Sequence, residues 1–297
     1  MSITAWVYLL GLSLIWGASF YFIEVGLVYL DSFWLVSLRL VTGAMALSAW
    51  VLLQGGRLPA DIRFWWSAWV MGILNNVIPF CLIAYGQLFV SGGMASILNA
   101  NTAFMGVILS ALFLSSEPAQ WNRVLGVGIG IVGVGIVIGL DGNAIGSSQL
   151  IGQIAIIAAT LSYALAGVWG KIKLSSYPPV AGATAMLICS SVSAIMLSLV
   201  FSGLPDTTIA AHPADLLQLV LGIGVLGTAC AYPLYFRILE IAGSSNLILV
   251  TIIVPVFAVM LDAILLQQLI SLNTLIGFGV VALGLLILDG RWKKILQ

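Results

Sequence analysis

Ten stretches of mostly apolar residues, each long enough to cross a bilayer, fill almost the whole of this 297-residue chain. A hydrocarbon core about 30 Å thick takes roughly 20 residues of helix at 1.5 Å rise each. Hydropathy places the runs at 4–24, 33–53, 64–86, 93–114, 123–140, 151–171, 180–202, 215–239, 245–266 and 272–289, named α1 to α10 in chain order. Hydrophobic residues make up 62% of the chain and charged residues 7%, whereas a soluble domain carries about 25% charged residues. A water-facing surface cannot be assembled from so few charges. In lipid, backbone polar groups have no water to bond, so spans of this length must be helical. The expected fold is therefore an all-α polytopic membrane protein with ten transmembrane helices.

The first run, "ITAWVYLLGLSLIWGASFYFI", has no Lys or Arg before it and is longer than a signal core, so it reads as a retained helix. Cys81, Cys189 and Cys230 fall inside apolar runs without metal-ligand spacing, which predicts free, buried thiols. His212, the only histidine, lies in the polar loop "LPDTTIAAHPAD" as an ordinary surface residue. No cofactor, metal or nucleic-acid partner is expected. The partners are a small-molecule substrate and the lipid bilayer, and the sequence does not decide between monomer and homodimer.

Basic residues give the orientation. Arg57, Arg63, Arg123, Lys171, Lys173, Arg237, Arg291, Lys293 and Lys294 all fall on the side that holds both termini, the opposite side has none, and Arg39 lies within α2. Short Lys- and Arg-rich loops resist translocation and stay in the cytoplasm. Both termini are expected there. Trp6, Trp34, Trp50, Trp65, Trp66, Trp69, Trp121 and Trp292 lie near helix ends, where an amphipathic ring suits the headgroup region. Trp16 is near mid-membrane instead, where its indole N–H needs a partner or a ligand.

The chain also repeats itself at a spacing of about 150 residues, the scale at which internal duplications are sought. "EPAQWNRVLGVGIGIVGVGIVIGLDG" from Glu117 matches "QLISLNTLIGFGVVALGLLILDG" from Gln268, with Gly126 against Gly277 and Asp141-Gly142 against Asp289-Gly290. Weaker matches join "IWGASF" to "SYALAG" and "GQLFVSGGMAS" to "RILEIAGSSNL". Residues 1–142 and 143–297 then hold five helices each. Because five is odd, the two halves enter the membrane from opposite sides as inverted repeats, an arrangement typical of secondary transporters with a midplane site between the halves.

"LIWGASF" (Leu14 to Phe20), Arg39 in α2, "EPAQWNRVLG" (Glu117 to Gly126) and "VPVFAVML" (Val254 to Leu261) together make the chain resemble the ten-helix EamA family of the drug/metabolite transporter superfamily. Within it, the overall character is most similar to the YddG-type exporters of aromatic and other amino acids. The resemblance implies an exporter working by alternating access. One departure is Gln268, where an acidic residue matching Glu117 is expected.

Candidate site residues come from interrupted helices and polar groups at mid-depth. Pro79 in α3 and Pro233 in α8 hold roughly corresponding places in the two halves, and Pro255 interrupts α9. Proline removes a backbone donor and frees carbonyls that need partners, so matched interruptions point to a transport site as well as to packing kinks. Asn75 and Asn76 precede Pro79, Asn99, Asn101 and Thr102 lie mid-way along α4, and Thr228, Tyr232 and Tyr235 are spaced to share one face of α8. Each has a second use as polar glue between helices. Trp16 and Tyr163 lie at matching positions in α1 and α6, while Tyr85 and Gln87 end α3. Such a lining suits an amphipathic, uncharged or zwitterionic solute and lacks the basic cluster a sugar phosphate needs.

A charge at mid-membrane costs at least about 2.5 kcal/mol and marks an ion relay. Glu24, Asp262 and Arg39 lie nearer helix ends, where snorkelling reduces that cost; they are gating candidates, with Arg39 pairing Asp262 or Glu24 on the outer side either as a gate or as a partly solvated structural pair. No central proton carrier is visible, which suits a facilitator or loosely coupled exporter. Three other readings share the composition: an exporter of another metabolite or drug or a nucleotide-sugar carrier, a membrane-embedded lipid-modifying enzyme, and a non-transport scaffold, which leaves the inverted repeat unexplained. The chain lacks the carboxylate cluster or nucleophile–base pair that the enzyme needs.

Finally, "GVGIGIVGVGIVIG" contains G-x-G-x-x-G at Gly128, Gly130 and Gly133. Without a strand before it or a turn within it, this is no dinucleotide site. Gly126 with Gly130, and Gly135 with Gly139, have the spacing that lets membrane helices approach closely.

Overall fold

The computed structural model describes residues 1–114, 120–139 and 147–290, with the backbone only at 244 and 245. Glu117, Asp141, Gly142, Arg291, Trp292, Lys293 and Lys294, and with them the boundary between the two halves, lie outside the described residues.

Ten membrane-length helices are present among the described residues: α1 Ile3–Gly26, α2 Ser32–Leu53, α3 Ile62–Gly86, α4 Gly92–Phe113, α5 Trp121–Ile138, α6 Ser148–Lys173, α7 Pro179–Phe201, α8 Pro213–Gly243, α9 Asn246–Leu266 and α10 Leu272–Asp289. Their starts follow local chemistry. Ser2, Asp31, Asp61, Ser91, Ser147 and Ser271 each cap a helix by accepting an N–H of its first turn, as short polar side chains do best. Asp61 also accepts from the Tyr177 hydroxyl at 3.0 Å, joining the start of α3 to the loop before α7. The Arg63 backbone N–H, and then that hydroxyl, hold the Asp61 carboxyl below the usual carboxylate range. Between α8 and α9 the chain turns at Gly243, whose φ of 79° is open to glycine and strained for other residues.

The glycine-rich run is helical and forms a seam. A Cβ at Gly126 would lie 2.7 Å from the Gly284 carbonyl and from the Leu288 nitrogen, and one at Gly133 would lie 2.6 Å from the Val281 nitrogen. Backbone meets backbone here, so α5 and α10 pack without intervening side chains. Gly139 also serves as the left-handed C-cap of α5 at φ 71°.

This seam fixes the relation of the halves. The early Gly126 meets the late Gly284, and the later Gly133 meets the early Gly277 and Val281, so α5 and α10 run antiparallel. Helices that correspond in sequence thus point in opposite directions, as inverted repeats require. The other pairings exchange in the same way. α1 packs on α8 and α9, and α6 packs on α3 and α4; α2 packs on α8, α7 packs on α3, and α2 and α7 pack on each other.

Large apolar side chains such as Leu53, Leu112, Val200 and Leu269 face outward, where lipid is their solvent. The three cysteines are free, but Cys81 and Cys189 are half-buried and Cys230 is exposed, because the α8 backbone turns it away from the bundle.

Candidate functional site

Two helices open into wide π turns just before a proline. In α3 the segment is Ile73–Val77, ahead of Pro79, and in α8 it is Val220–Cys230, ahead of Pro233. Proline has no N–H to offer the carbonyl four residues back, and its ring crowds that carbonyl; an i→i+5 turn relieves both. π turns inside membrane helices concentrate at functional sites. These two, in corresponding helices of the halves, flank one polar cluster.

Asn75 and Asn76 lie within the α3 π turn. Asn75 Nδ2 donates to Asn76 Oδ1 at 3.3 Å and to the Tyr232 hydroxyl at 3.2 Å, and that hydroxyl donates to Asn76 Oδ1 at 3.2 Å. Asn76 Nδ2 donates to Ser190 Oγ in α7 at 3.1 Å. Asn76 is fully buried, whereas Asn75 is half-buried. One amide therefore ties α3, α7 and α8 together, while its neighbour keeps a partly open face.

Arg39 projects from α2 into the same region. Its Nε donates to Thr228 Oγ1 at 3.0 Å, its Nη2 reaches the Gly227 carbonyl at 3.4 Å, and its guanidinium carbon lies 3.8 Å from the centre of the Phe80 ring. Thr228 in turn donates to the Ile223 carbonyl five residues back, a bond the π geometry permits.

Aromatic rings surround these groups. Trp16 lies 6.0 Å from Tyr235, Tyr235 lies 5.6 Å from Phe236, Tyr232 stacks on Phe236 at 6.4 Å, and Phe80 meets Tyr163 edge-on at 6.5 Å. The half-buried Trp16 indole has no hydrogen-bond partner among the described residues. Thr228, Tyr232 and Tyr235 do not share one target face: they meet Arg39 of α2, Asn75 of α3 and Trp16 of α1 respectively. The π segment ending at Cys230 shifts the helical register between Thr228 and the two tyrosines.

Other candidate residues lie apart from this cluster. Asn101 donates to Thr160 Oγ1 at 3.1 Å and fastens α4 to α6, beside the break in α4 between Asn99 and Thr102. Asn99 has its Oδ1 buried without a partner, and its backbone carbonyl accepts from Thr102. Pro255 is buried in α9, next to Val254, whose carbonyl leaves a Cβ at Gly17 only 3.0 Å of room. Tyr85 is 42% exposed and packs edge-on against Phe89 at the end of α3.

The expected pairing of Arg39 with Glu24 or Asp262 does not form. Glu24 accepts from the Gly92 N–H at 3.2 Å and from Gln268 Nε2, and Asp262 accepts from the Gly93 N–H. The start of α4 offers unpaired N–H groups and the positive end of its dipole, which suits carboxylates better than a distant guanidinium does. Gln268 stands where the repeat suggests an acidic residue, and its amide supplies a donor to Glu24 that a carboxylate lacks. Nor does Arg39 reach toward headgroups: it is 8% exposed, and it and the fully buried Asp262 are the buried charged residues among those described.

Ser190 and Phe80 belong to the cluster although nothing in their sequence context singles them out. Ser190 is one of many small polar residues in α7, and Phe80 was hidden among apolar neighbours; only its position after Pro79 was a hint.

Comparison with known proteins covers almost the entire chain. A family model described as the EamA-like transporter family matches twice, at residues 3–139 and 150–288. The uncharacterized transporter YoaV of Bacillus subtilis is 23% identical over 93% of this chain and 94% of its own. The uncharacterized inner membrane transporter YedA of Escherichia coli is 24% identical over 94% and 88%. A probable amino-acid metabolite efflux pump of Salmonella typhimurium is 24% identical over 92% and 90%. A solved crystal structure superposes over the whole of both chains with a TM-score of 0.66 at 17% identity, which speaks to the fold alone.

Proposed function

The chain belongs to the EamA-like transporter family, and from that premise we propose that it exports amino acids, aromatic and other neutral or zwitterionic ones, across the inner membrane of a bacterium. The family makes it a membrane transporter and not an enzyme. The observation that carries the substrate reading is the cluster of Asn75, Asn76, Tyr232, Arg39 and Trp16. Residues from both halves contribute amide and hydroxyl groups beside aromatic faces, a lining suited to a small solute with polar and apolar ends. The likeness to the Salmonella efflux pump supports the same class.

In this reading the halves rock against each other about the cluster, and the π turns beside Pro79 and Pro233 are where α3 and α8 bend. The acid-rich contact of Glu24, Asp262 and Gln268 with the start of α4 then closes the outer end. Cells expressing the chain and fed phenylalanine-containing dipeptides are expected to release phenylalanine several-fold faster than cells with an empty vector. Equal release contradicts export of this class.

The basic loops support a topology with both termini in the cytoplasm. With Cys81, Cys189 and Cys230 replaced by Ser, Thr207→Cys is expected to react with an impermeant maleimide in intact cells. Arg57→Cys is expected to react only after permeabilisation. Labelling of both from the same side contradicts the topology.

A further inference from the structure

Arg39 is a buried cation without an anion. Of its five N–H donors, one is committed to Thr228 and one to the long contact with Gly227. Nη1 has no partner among the described residues, and no carboxylate there bonds the guanidinium. Glu24 and Asp262, the acids expected to neutralise it, are engaged at the start of α4. The Phe80 ring face is the one counter-charge in contact with Arg39, and it offers only a quadrupole. A guanidinium removed from water and left unpaired is unfavourable unless an oxyanion completes it, and its free fork matches a carboxylate in two parallel bonds.

The charge count narrows the ligand. Arg39 is the one buried Lys or Arg among the described residues. A single cation balances a monoanion and leaves a phosphate dianion half-compensated. The guanidinium lies over the Phe80 ring, Phe80 meets Tyr163 edge-on, and Tyr232, bonded to Asn75, stacks on Phe236.

We propose that Arg39 is the carboxylate receptor of the cluster, so that the solutes bound there carry one carboxylate next to an apolar or aromatic group. Thr228 positions the fork: by accepting from Nε and donating to Ile223 it holds the guanidinium plane with the opposite edge free. This deepens the transport reading and rests on it, but binding can be tested without transport.

The test measures the unfolding midpoint of the purified full chain in detergent, titrated with matched pairs: phenylalanine and phenylalaninamide, 3-phenylpropionate and its primary amide, leucine and leucinamide. At least one acid is expected to raise the midpoint of the wild type, with its amide binding about ten-fold more weakly or not at all. In Arg39→Gln the acid and its amide become equal, and Arg39→Lys, which keeps the charge but loses the fork, falls between. Amides that match their acids on the wild type overturn the assignment, as does a panel in which no acid binds. Unchanged preference for the acid in Arg39→Gln does the same. If Arg39→Gln does not fold, the acid-against-amide comparison on the wild type still decides. Failure of dipeptide-fed export with intact acid selectivity would remove the transport reading and leave the receptor standing.

Discussion

Gly133→Val is expected to abolish the folded protein or to lower its stability by more than about 3 kcal/mol, and Gly126→Ala is expected to cost about 2 kcal/mol. Both figures follow from the α5–α10 seam. A Cβ at Gly133 would lie 2.6 Å from the Val281 nitrogen and 3.0 Å from the Gly277 carbonyl, and one at Gly126 would lie 2.7 Å from the Gly284 carbonyl. The obstructing atoms are backbone, so no rotamer change makes room and the two helices must move apart. Without water to drive apolar surfaces together in lipid, close packing is the main attraction between such helices, and separating them forfeits it. Gly128, in the same run, is the control: a Cβ there meets nothing within 4 Å. Gly128→Ala should leave stability unchanged or slightly raised, since alanine favours helix by roughly 1 kcal/mol. Loss of the monodisperse size-exclusion peak on heating in detergent reads all three. Equal midpoints for Gly126→Ala and Gly128→Ala would contradict the seam.

The second large effect is on transport. Asn76→Ala removes the acceptor of Asn75 and Tyr232 and the donor to Ser190. Hydrogen bonds between membrane helices average about 0.6 kcal/mol each, so the fold should survive. The site should not keep its geometry, because Asn75 and Tyr232 become free to turn away from the solute. We expect transport to fall by about ten-fold or more, equivalent to about 1.4 kcal/mol of lost interaction with the solute. Asn101→Ala is the contrasting case. Its amide joins α4 to α6 through Thr160, so its loss should cost about 0.6 kcal/mol of stability and leave the transport rate unchanged.

These two asparagines show what a one-dimensional reading could and could not separate. Both are polar residues at mid-depth beside a helix interruption, and nothing in their spacing says that Asn76 faces α7 and α8 while Asn101 faces α6. The ten spans were legible because length and hydropathy are local quantities. The glycine seam was legible because close packing leaves its own mark in the spacing of small residues, although Gly139 turned out to end the helix. The π turns were not legible. They insert extra residues into a turn and rotate everything beyond, which is why the spacing from Thr228 to the two tyrosines does not put them on one face. Arg39 was misplaced for a related reason: distance from the helix end suggested snorkelling, but the direction of its side chain depends on where α8 packs. Its departure from Glu24 and Asp262 depends on α4, whose first N–H groups claim both acids.

Counterflow in proteoliposomes tests the central claim, that a small zwitterionic solute crosses through the cluster built around Asn76. Vesicles carrying the purified chain, preloaded with unlabelled phenylalanine and diluted into a trace of labelled phenylalanine, are expected to accumulate the label transiently. Vesicles with Asn76→Ala at equal protein density should do so about ten-fold more slowly, the loss estimated above, and those with Asn101→Ala should match the wild type. Label that enters wild-type vesicles no faster than protein-free ones, or equally fast with Asn76→Ala, would contradict the account.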